Sequence, residues 1–323
     1  MKIVVLDGNT LNPGDNPWEP VSALGELTVY PRTPAELIIE RALPAEVLVT
    51  NKAVLDGPLL ERLPNLRFIA VTATGYNVVD VAAAGKLGIP VANVPEYASG
   101  TVAQHVFALL LELTNRVGEH ALAVRSGEWT ASPDFAFWKG ELVELAGKKL
   151  GIVGLGRIGA QVAAIGHAFG MEILAHNPRS RIAPAGVPVT WTELPQLFAT
   201  ADVVSLHCPL TAENSGFVAA ALLASMQKSA YLINTARGAL VNEADLAAAL
   251  DAGLLAGAAV DVVSKEPIPA GNPLLAAKNC IITPHIAWAT LAARQRLMTA
   301  TAANIAAFLA GAPINLVNGE CLQ

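Results

Sequence analysis

The sequence has few cysteines and no long uncharged apolar run, and both absences exclude classes of protein. Its 323 residues include three cysteines, Cys208, Cys280 and Cys321, with no C-x-x-C spacing. This argues against a disulfide framework or a zinc site, so we expect no metal and a reducing compartment. No apolar run approaches the 18 residues of a membrane span, and Met1–Leu6 has the pattern of a first strand, not of a secretory segment. The predicted location is the cytoplasm.

Charge is also sparse. Charged residues make up 15% of the chain and hydrophobic residues 53%, and the formal net charge is −6. A nucleic-acid-binding protein would need a basic face, so that class is disfavoured. The apolar content is typical of a compact globular enzyme, and the length suffices for two domains, each with its own core. A small anionic ligand is still compatible with this charge, because helix N-termini bind anions locally.

Short apolar segments alternate with helical patterns in two successive sets, and each set predicts a parallel sheet. In the first set, the predicted strands are Lys2–Leu6, Leu27–Tyr30, Val47–Thr50 and Arg67–Val71, with helical patterns at Pro34–Arg41 and Pro58–Leu63. In the second set they are Lys149–Val153, Glu172–Ala175, Val203–Leu206, Ala230–Asn234, Ala258–Val262 and Cys280–Thr283. Strands joined by single helices form right-handed crossovers. The predicted fold class is therefore α/β, with two Rossmann-like, doubly wound parallel-sheet domains.

Two longer helical patterns place the domain boundaries. Gly100–Val117 lies between the two sets and is expected to connect the domains. Leu291–Leu309 follows the last strand and is expected to return to the first domain. We therefore predict a discontinuous, flavodoxin-like substrate domain of residues 1–98 and 289–323, and a dinucleotide-binding Rossmann domain of residues 99–288.

A glycine-rich turn follows the first strand of the second set. The segment Gly154-Leu155-Gly156-Arg157-Ile158-Gly159 fits G-x-G-x-x-G, and a helical pattern and a second strand come after it. The first glycine permits a tight turn, the second lets the backbone approach a pyrophosphate, and the third lets the helix pack close to the strand. The alternative is an ordinary strand-to-helix turn with three glycines, but the strand–turn–helix–strand context favours a dinucleotide site.

The end of the second strand bears on the choice between NAD and NADP. NAD-binding domains have an acidic residue here that binds the ribose 2′-hydroxyl, whereas this chain has Asn177, followed by Arg179 and Arg181. Without the carboxylate a 2′-phosphate is not repelled, and an arginine would bind it. NADP is therefore slightly favoured. The alternative is NAD, with Asn177 hydrogen-bonded to the ribose and the arginines in solvent.

Three chemically suited side chains follow neighbouring strands of the second set. Reduction of a 2-keto acid needs a cation for the carboxylate, an acid for the carbonyl oxygen, and a group that orients this acid and keeps it charged. Arg237, His285 and Glu266 match these needs, and each comes after a predicted strand, where open α/β sheets bind ligands. Alone, each would be an ordinary surface or structural residue. Together they predict a catalytic site.

Further segments resemble the D-2-hydroxy acid dehydrogenase family. Its members carry an arginine, a glutamate and a histidine in the motifs around Arg237, Glu266 and His285. Residues 202–211, DVVSLHCPLT, resemble its adenosine-bordering stretch, and residues 99–105, SGTVAQH, resemble the start of its interdomain helix. The likeness covers nearly the whole chain.

The resemblance implies a role for each of these residues. Arg237 would hold the substrate carboxylate and carbonyl, His285 would exchange the proton, and Glu266 would hydrogen-bond His285 and favour its imidazolium form. The substrate would lie in a cleft between the two domains, and the protein would be a homodimer. Beside the glycine loop, the residues implied at the cofactor are Thr101, Cys208, Pro209, Thr235 and Asp261. Thr74 and Gly75, in a loop of the first domain, would bind the substrate carboxylate through backbone amides.

Two tryptophans bear on the substrate. Trp288 follows His285 and would bring apolar surface close to the site. Trp138 resembles the tryptophan with which some glyoxylate and hydroxypyruvate reductases of the family close the partner subunit's pocket, although it is equally suited to anchor an interface or a core. The expected activity is NAD(P)H-dependent reduction of hydroxypyruvate or glyoxylate. The alternatives are a D-lactate-type dehydrogenase and, from another class, a nucleotide-sensing corepressor.

Overall fold

The computed structural model describes residues 1–178 and 180–322, which form two compact units. The first unit comprises Met1–Ala98 and Ala289–Gln323, and the second comprises Ser99–Trp288. Each unit is a parallel sheet flanked by helices.

The strands are short and mostly buried. In chain order they are β1 (Lys2–Val5), β2 (Glu26–Val29), β3 (Val47–Thr50), β4 (Phe68–Val71), β5 (Val91–Ala92), β6 (Lys149–Val153), β7 (Glu172–His176), β8 (Val189–Trp191), β9 (Val203–Leu206), β10 (Tyr231–Asn234), β11 (Gly257–Val260) and β12 (Cys280–Ile282). Every residue of β3, β4, β9, β10 and β11 is buried. Continuous apolar runs of this kind are typical of parallel strands that helices cover on both faces.

The helices vary from single turns to five turns. They are α1 (Glu19–Ser22), α2 (Ile38–Ala42), α3 (Gly57–Leu60), α4 (Val81–Lys86), α5 (Ser99–Asn115), α6 (Val117–Arg125), α7 (Glu128–Ala131), α8 (Arg157–Ala168), α9 (Leu194–Thr200), α10 (Ala220–Ser225), α11 (Glu243–Asp251) and α12 (Leu291–Leu309). Among the described residues, no helix is both long and apolar enough to cross a membrane.

The first unit has the strand order β2-β1-β3-β4-β5, with every pair parallel. This is the flavodoxin-like doubly wound order. Helix α12 returns from the far end of the chain to pack against β4, where the rings of Phe68 and Phe308 stack with their centroids 4.6 Å apart. The chain therefore completes this core only with its last helix.

The second unit has the strand order β12-β11-β10-β9-β6-β7-β8, again all parallel. The order reverses between β6 and β9, which are neighbours in the sheet although 49 residues separate their ends. At such a reversal the connecting helices leave to opposite faces and open a crevice at the carboxyl ends of the strands, which is where doubly wound folds bind nucleotides.

The structure differs from the sequence-based prediction at several elements. Strands β5 and β8 were not predicted. The predicted helix 100–117 ends at Asn115 because Arg116 adopts a left-handed backbone, with φ of 51°. The predicted helix 34–41 begins as a 3₁₀ turn and becomes α-helical at Ile38. The predicted strand 258–262 ends at Val260, so Asp261 lies in the following loop.

Candidate active site

His285 and Glu266 form a close pair at the carboxyl ends of β12 and β11. Nδ1 of His285 lies 2.6 Å from Oε2 of Glu266. Both side chains are about one third exposed, 29% for the imidazole and 32% for the carboxylate. The carboxylate can only accept, so Nδ1 carries the hydrogen of this bond. Nε2 of His285 then has no hydrogen-bond partner among residues 1–178 and 180–322, and it is the ring atom available to exchange a proton with a ligand.

The loop that carries Glu266 is tied to helix α11. Oε1 of Glu266 accepts a 3.3 Å hydrogen bond from the amide of Val263. The amide and hydroxyl of Ser264 both donate to Glu243, the first residue of α11, at 2.6 and 2.8 Å. Asn272 donates to the same carboxylate at 2.8 Å. Glu243 thus fixes the loop that carries Glu266.

Arg237 follows β10, the strand beside β11. The buried side chain of Asn234 braces its loop, because Nδ2 donates to the carbonyl of Arg237 at 2.9 Å and Oδ1 accepts from the amide of Ala236 at 3.0 Å. The guanidinium is exposed, and its Nη1 donates to the carbonyl of Ala236 at 2.7 Å. The other N–H groups of the guanidinium are suited to a ligand that accepts several hydrogen bonds, such as a carboxylate.

Gly238 brings the loops after β10 and β11 into direct contact. A Cβ atom at this position would overlap the carbonyl of Val263 and the amide of Ser264. Since Val263 donates to Glu266, the chain next to Arg237 abuts the loop of the orienting carboxylate. The three side chains predicted to be catalytic therefore follow three adjacent strands, and two of them are hydrogen-bonded.

Asp261 is a buried hub beneath His285. It is 1% exposed, and its carboxylate accepts hydrogen bonds from the hydroxyl of Thr283 at 2.6 Å and from the amides of Ile286 and Ala287 at 2.9 and 2.8 Å. Burial acts to raise the pKa of Asp261, but the hydrogen bonds with His105, Thr283 and the two amides outweigh it and hold the pKa below its usual value. Asp261 is thus an anion, and its carboxylate oxygens accept hydrogen bonds from the loop that carries His285.

The glycine loop has the geometry that a dinucleotide needs. Gly154 has φ of 97°, and a Cβ there would lie 2.6 Å from the amide nitrogen of Cys208. A Cβ at Gly159 would overlap the carbonyl of Gly154. At Gly156, by contrast, a Cβ would meet no atom of the described chain within 4 Å. Gly154 and Gly159 are therefore required by the fold, while Gly156 leaves open space at the N-terminus of α8.

Other residues of the site also fit NAD or NADP. Helix α8 begins at Arg157, which is exposed, and Ile158 follows it half-buried. The N–H groups and the dipole of such a twelve-residue helix favour a pyrophosphate. Near the end of β10, the hydroxyl of Thr235 is buried and has no hydrogen-bond partner within the described part of the chain. An orphaned hydroxyl at the carboxyl edge of the sheet suits a polar group of the cofactor.

His207 and Cys208, whose backbone faces Gly154, are uncharged at neutral pH. Burial raises the pKa of the Cys208 thiol. It lowers the pKa of His207 to about 3, and Nε2 of this ring lies 2.8 Å from the hydroxyl of Ser205. His207 is therefore a neutral wall residue and not an acid. Pro209, the next residue predicted at the cofactor, is exposed.

The residues predicted to discriminate the ribose lie after β7. Asn177 is half-buried there. Arg179 lies outside the described residues. Arg181 is exposed, and its Nη2 is 3.3 Å from Oε1 of Glu193. An exposed pair of this kind contributes little to stability.

The other predicted residues are placed as follows. In the first unit, Thr74 and Gly75 lie in the loop after β4, where the hydroxyl of Thr74 donates to the carbonyl of Val94 at 2.8 Å. In the second unit, Thr101 lies half-buried in the first turn of α5, Trp288 is half-buried, and Trp138 is 69% exposed. Their roles stay predictions. No cluster of three or more His, Cys, Asp or Glu side chains suited to a metal ion occurs among the residues described.

Sequence reasoning missed the residues that hold the site together. Asn234, Glu243 and Gly238 act through partners that are two to 29 residues away, and His105 through one that is 178 residues away. Asn234 had a usable signal, since a buried amide at a strand end is expected to brace the next turn. The other partners have no signal in a single sequence.

Comparison with known proteins agrees with this geometry. Residues 107–287 match the family model described as D-isomer specific 2-hydroxyacid dehydrogenase, NAD binding domain. The chain is 47% identical over 321 residues to a hydroxypyruvate reductase from Blautia hydrogenotrophica, covering 98% of this chain and 100% of that protein. It is 42% identical over 287 residues to a glycerate dehydrogenase from Methylorubrum extorquens, covering 88% and 89%.

A solved structure is similar over almost the same length. It is an NADPH-dependent glyoxylate/hydroxypyruvate reductase from Sinorhizobium meliloti in complex with NADP and malonate, with a TM-score of 0.83, 29% identity and coverage of 98% of this chain and 96% of that one. The match to the family model, the relatives covered over most of their length, and the His285–Glu266 pair at the strand ends all indicate the same family. The chain belongs to the D-isomer specific 2-hydroxyacid dehydrogenase family.

Proposed function

We propose that this protein reduces hydroxypyruvate or glyoxylate to D-glycerate or glycolate with NADPH or NADH. The observation that carries the proposal is the 2.6 Å contact between His285 and Glu266, with Nε2 of the imidazole free to exchange a proton. The relatives named hydroxypyruvate reductase and glycerate dehydrogenase support the substrate class. When bound, the cofactor supplies a hydride to the carbonyl carbon of the substrate.

The residues of the chain supply charge and a proton. Arg237 binds the carboxylate of the keto acid and polarises its carbonyl, since a guanidinium donates to two oxygens at once. His285 donates the proton on Nε2 to the carbonyl oxygen as negative charge develops there. Glu266 accepts the hydrogen on Nδ1 and so keeps the imidazole oriented for the transfer. In the reverse direction, neutral His285 takes the proton from the hydroxyl group.

The substrate is tested by the loss of absorbance at 340 nm with NADPH or NADH and a panel of 2-keto acids. We expect kcat/KM for hydroxypyruvate or glyoxylate to exceed that for pyruvate by at least about tenfold. Pyruvate as the best substrate would instead make the protein a D-lactate-type enzyme, as is the structurally similar D-lactate dehydrogenase from Aquifex aeolicus. No turnover with any acid would favour a nucleotide-sensing binding protein.

We further propose that NADPH is the preferred cofactor. In the sequence, Asn177 replaces the acidic residue that would repel a 2′-phosphate, and Arg179 follows it. The variant Asn177→Asp is expected to raise KM for NADPH at least about tenfold and to change KM for NADH little, because a carboxylate repels the phosphate and accepts from the ribose hydroxyl. Arg179→Ala is expected to weaken NADPH use more than NADH use. Equal effects on both cofactors would show that neither position reads the 2′-phosphate.

We propose a homodimer from the exposed apolar side chains of α6 and of the segment between α6 and β6. Phe135 is 93% exposed, Trp138 69%, Leu122 68% and Trp129 51%. Exposed apolar groups concentrated in one segment are typical of protein interfaces. Light scattering of the wild-type protein is expected to give twice the monomer mass, and Phe135→Ser is expected to weaken the assembly. A cytoplasmic location and the pocket-closing role of Trp138 stay predictions.

A further inference from the structure

A chain of polar contacts runs from helix α5 to the loop that carries His285. Nε2 of His105, on α5, lies 3.2 Å from the hydroxyl oxygen of Thr283 and 3.5 Å from Oδ1 of Asp261. Thr283 comes directly after β12 and donates to Asp261 at 2.6 Å. The imidazole of His105 is 19% exposed, and the Asp261 carboxylate is fully buried. Three polar groups that are remote in sequence are thus packed together behind the candidate acid.

The chemistry of the three groups fixes the direction of each bond. Asp261 is an anion and only accepts, so the hydroxyl hydrogen of Thr283 points to its carboxylate. The Thr283 oxygen has lone pairs left and no second hydrogen, so it accepts from His105. The imidazole must therefore carry its hydrogen on Nε2. His105 therefore donates mainly to Thr283 and, at the longer distance of 3.5 Å, also faces Oδ1 of Asp261, while Thr283 donates to Asp261.

Asp261 also connects these contacts to the loop that carries His285, through hydrogen bonds. Its carboxylate binds the amides of Ile286 and Ala287, and its backbone carbonyl accepts from the amide of His285 at 2.8 Å. His285 has φ of 55°, a left-handed conformation that a residue with a Cβ rarely adopts. A strained residue stays in such a conformation only where its surroundings hold it. The hydrogen bonds of Asp261 supply that restraint on both sides of the strained residue.

We propose that Thr283 and His105 are positioning residues for His285, acting through Asp261. In this role they neither touch the reacting atoms nor bind the cofactor, but fix the orientation of the His285 ring. This inference rests on the proposed role of His285 as the acid. Because a general acid must lie within hydrogen-bond reach of its acceptor, a small tilt of the ring slows proton transfer without weakening the binding of NADPH.

The test compares Thr283→Val, which removes the hydroxyl at nearly constant volume, with Thr283→Ser, which restores it. Thr283→Val is expected to lower kcat for the preferred keto acid at least about tenfold, to change the Kd for NADPH less than about twofold, and to increase the solvent deuterium isotope effect on kcat. Thr283→Ser is expected to recover kcat to within about threefold of wild type. Thr200→Val on α9, where the hydroxyl donates to the carbonyl of Gln196 in the same helix, is the matched control and is expected to behave as wild type.

A second pair of variants tests the other end of the chain of contacts. His105→Gln keeps an N–H donor for Thr283 and is expected to retain more activity than His105→Phe, which has none. Equal kcat for Thr283→Val and wild type, or a loss in kcat that Thr283→Ser does not recover, would overturn the proposal. So would a Kd for NADPH that changes in parallel with kcat, since that would place the defect in cofactor binding.

Failure of this inference is separable from failure of the proposed function. Imidazole nitrogen signals in an NMR spectrum report the surroundings of His285 without any substrate. If wild-type protein reduces no keto acid, the proposed function fails, yet Thr283→Val is still expected to shift the His285 signals while Thr283→Ser leaves them near their wild-type positions. Unchanged signals in Thr283→Val would sink the positioning role by itself.

Discussion

His285 combines two features that separate it from the other histidines of the chain. Its backbone is left-handed, which costs a residue with a Cβ about 1 kcal/mol or more, and its Nδ1 is bound to a carboxylate. A structural histidine gains nothing from such strain. A general acid does, because strained conformations are kept at functional sites where they position the reacting group.

Replacing this ring is expected to slow the chemistry and not the binding of cofactor. We expect His285→Ala to lower kcat at least about a hundredfold while the Kd for NADPH stays within about twofold, as for the loss of a general acid. Glu266→Gln keeps the shape but exchanges the carboxylate for a weaker, uncharged acceptor of the Nδ1 hydrogen, so a smaller loss is expected. Steady-state kinetics and fluorescence titration measure the two quantities, with exposed His167 on α8, as His167→Ala, as the control. A mild effect at His285 would remove it from the mechanism.

At the scale of residues, the sequence predicts the candidate catalytic side chains better than the hydrogen bonds that position them. Arg237, Glu266 and His285 were identified because each follows a recognisable strand and because their chemistry is scarce. Asp261 was expected at the cofactor, and its bonds to Thr283 and to two loop amides were not foreseen. Those bonds depend on how loops after two adjacent strands fold back, and residue types alone do not encode that geometry.

The strand–turn–helix element of β6 and α8 contains two glycines that the fold requires and a third, Gly156, that is predicted to contact the cofactor. Gly154→Ala is expected to lower the free energy of unfolding by about 2 kcal/mol or more, since the methyl group meets the Cys208 backbone and the backbone is left-handed. Gly156→Ala adds a methyl group to open space, so we expect a melting temperature within about 2 °C of wild type but a Kd for NADPH at least about tenfold higher.

Calorimetry and cofactor titration of both variants test this division. Gly151→Ala is a useful reference for a purely internal clash, because its Cβ would lie 2.6 Å from a methyl group of Leu197 on α9. If Gly156→Ala bound NADPH as wild type does, the pyrophosphate would not approach the backbone at that residue.

Among the elements, length decided what could be predicted. Helix α12 has the bounds that apolar periodicity predicts, Leu291–Leu309, because five turns give a long pattern and Thr290 caps its start. Strands β5 and β8 have two and three residues and were missed, whereas the three-residue β12 belongs to a continuous apolar run and was predicted. Helix α5 was predicted to extend to residue 117 but ends at Asn115, because the residue type arginine does not indicate the left-handed backbone found at Arg116. The side chain of Arg116 makes a local 2.8 Å ion pair with Glu119, three residues later, within this turn.

At the scale of the whole molecule, alternation of strands and helices is enough to predict two parallel sheets, because parallel strands require crossovers. It does not give the order of the strands. The reversal between β6 and β9, which opens the nucleotide crevice, follows from which face each helix covers. The sequence reveals this point indirectly, through the glycines that a crevice of this shape requires.

The crevice also makes the stability of the protein depend on pH. Burial lowers the pKa of His207 from its ordinary 6.5 to about 3, so the folded protein holds this ring neutral while the unfolded chain protonates it below pH 6.5. Its contribution to stability is complete above pH 6.5 and is lost as the pH falls from there toward 3, by at most about 1.4 kcal/mol per pH unit. Between pH 7.5 and 5 we expect chemical denaturation to show a loss of up to about 2 kcal/mol. His207→Gln, which keeps a polar partner for Ser205 but does not titrate, is expected to remove this part of the slope; an identical slope in both proteins would place the pH dependence elsewhere.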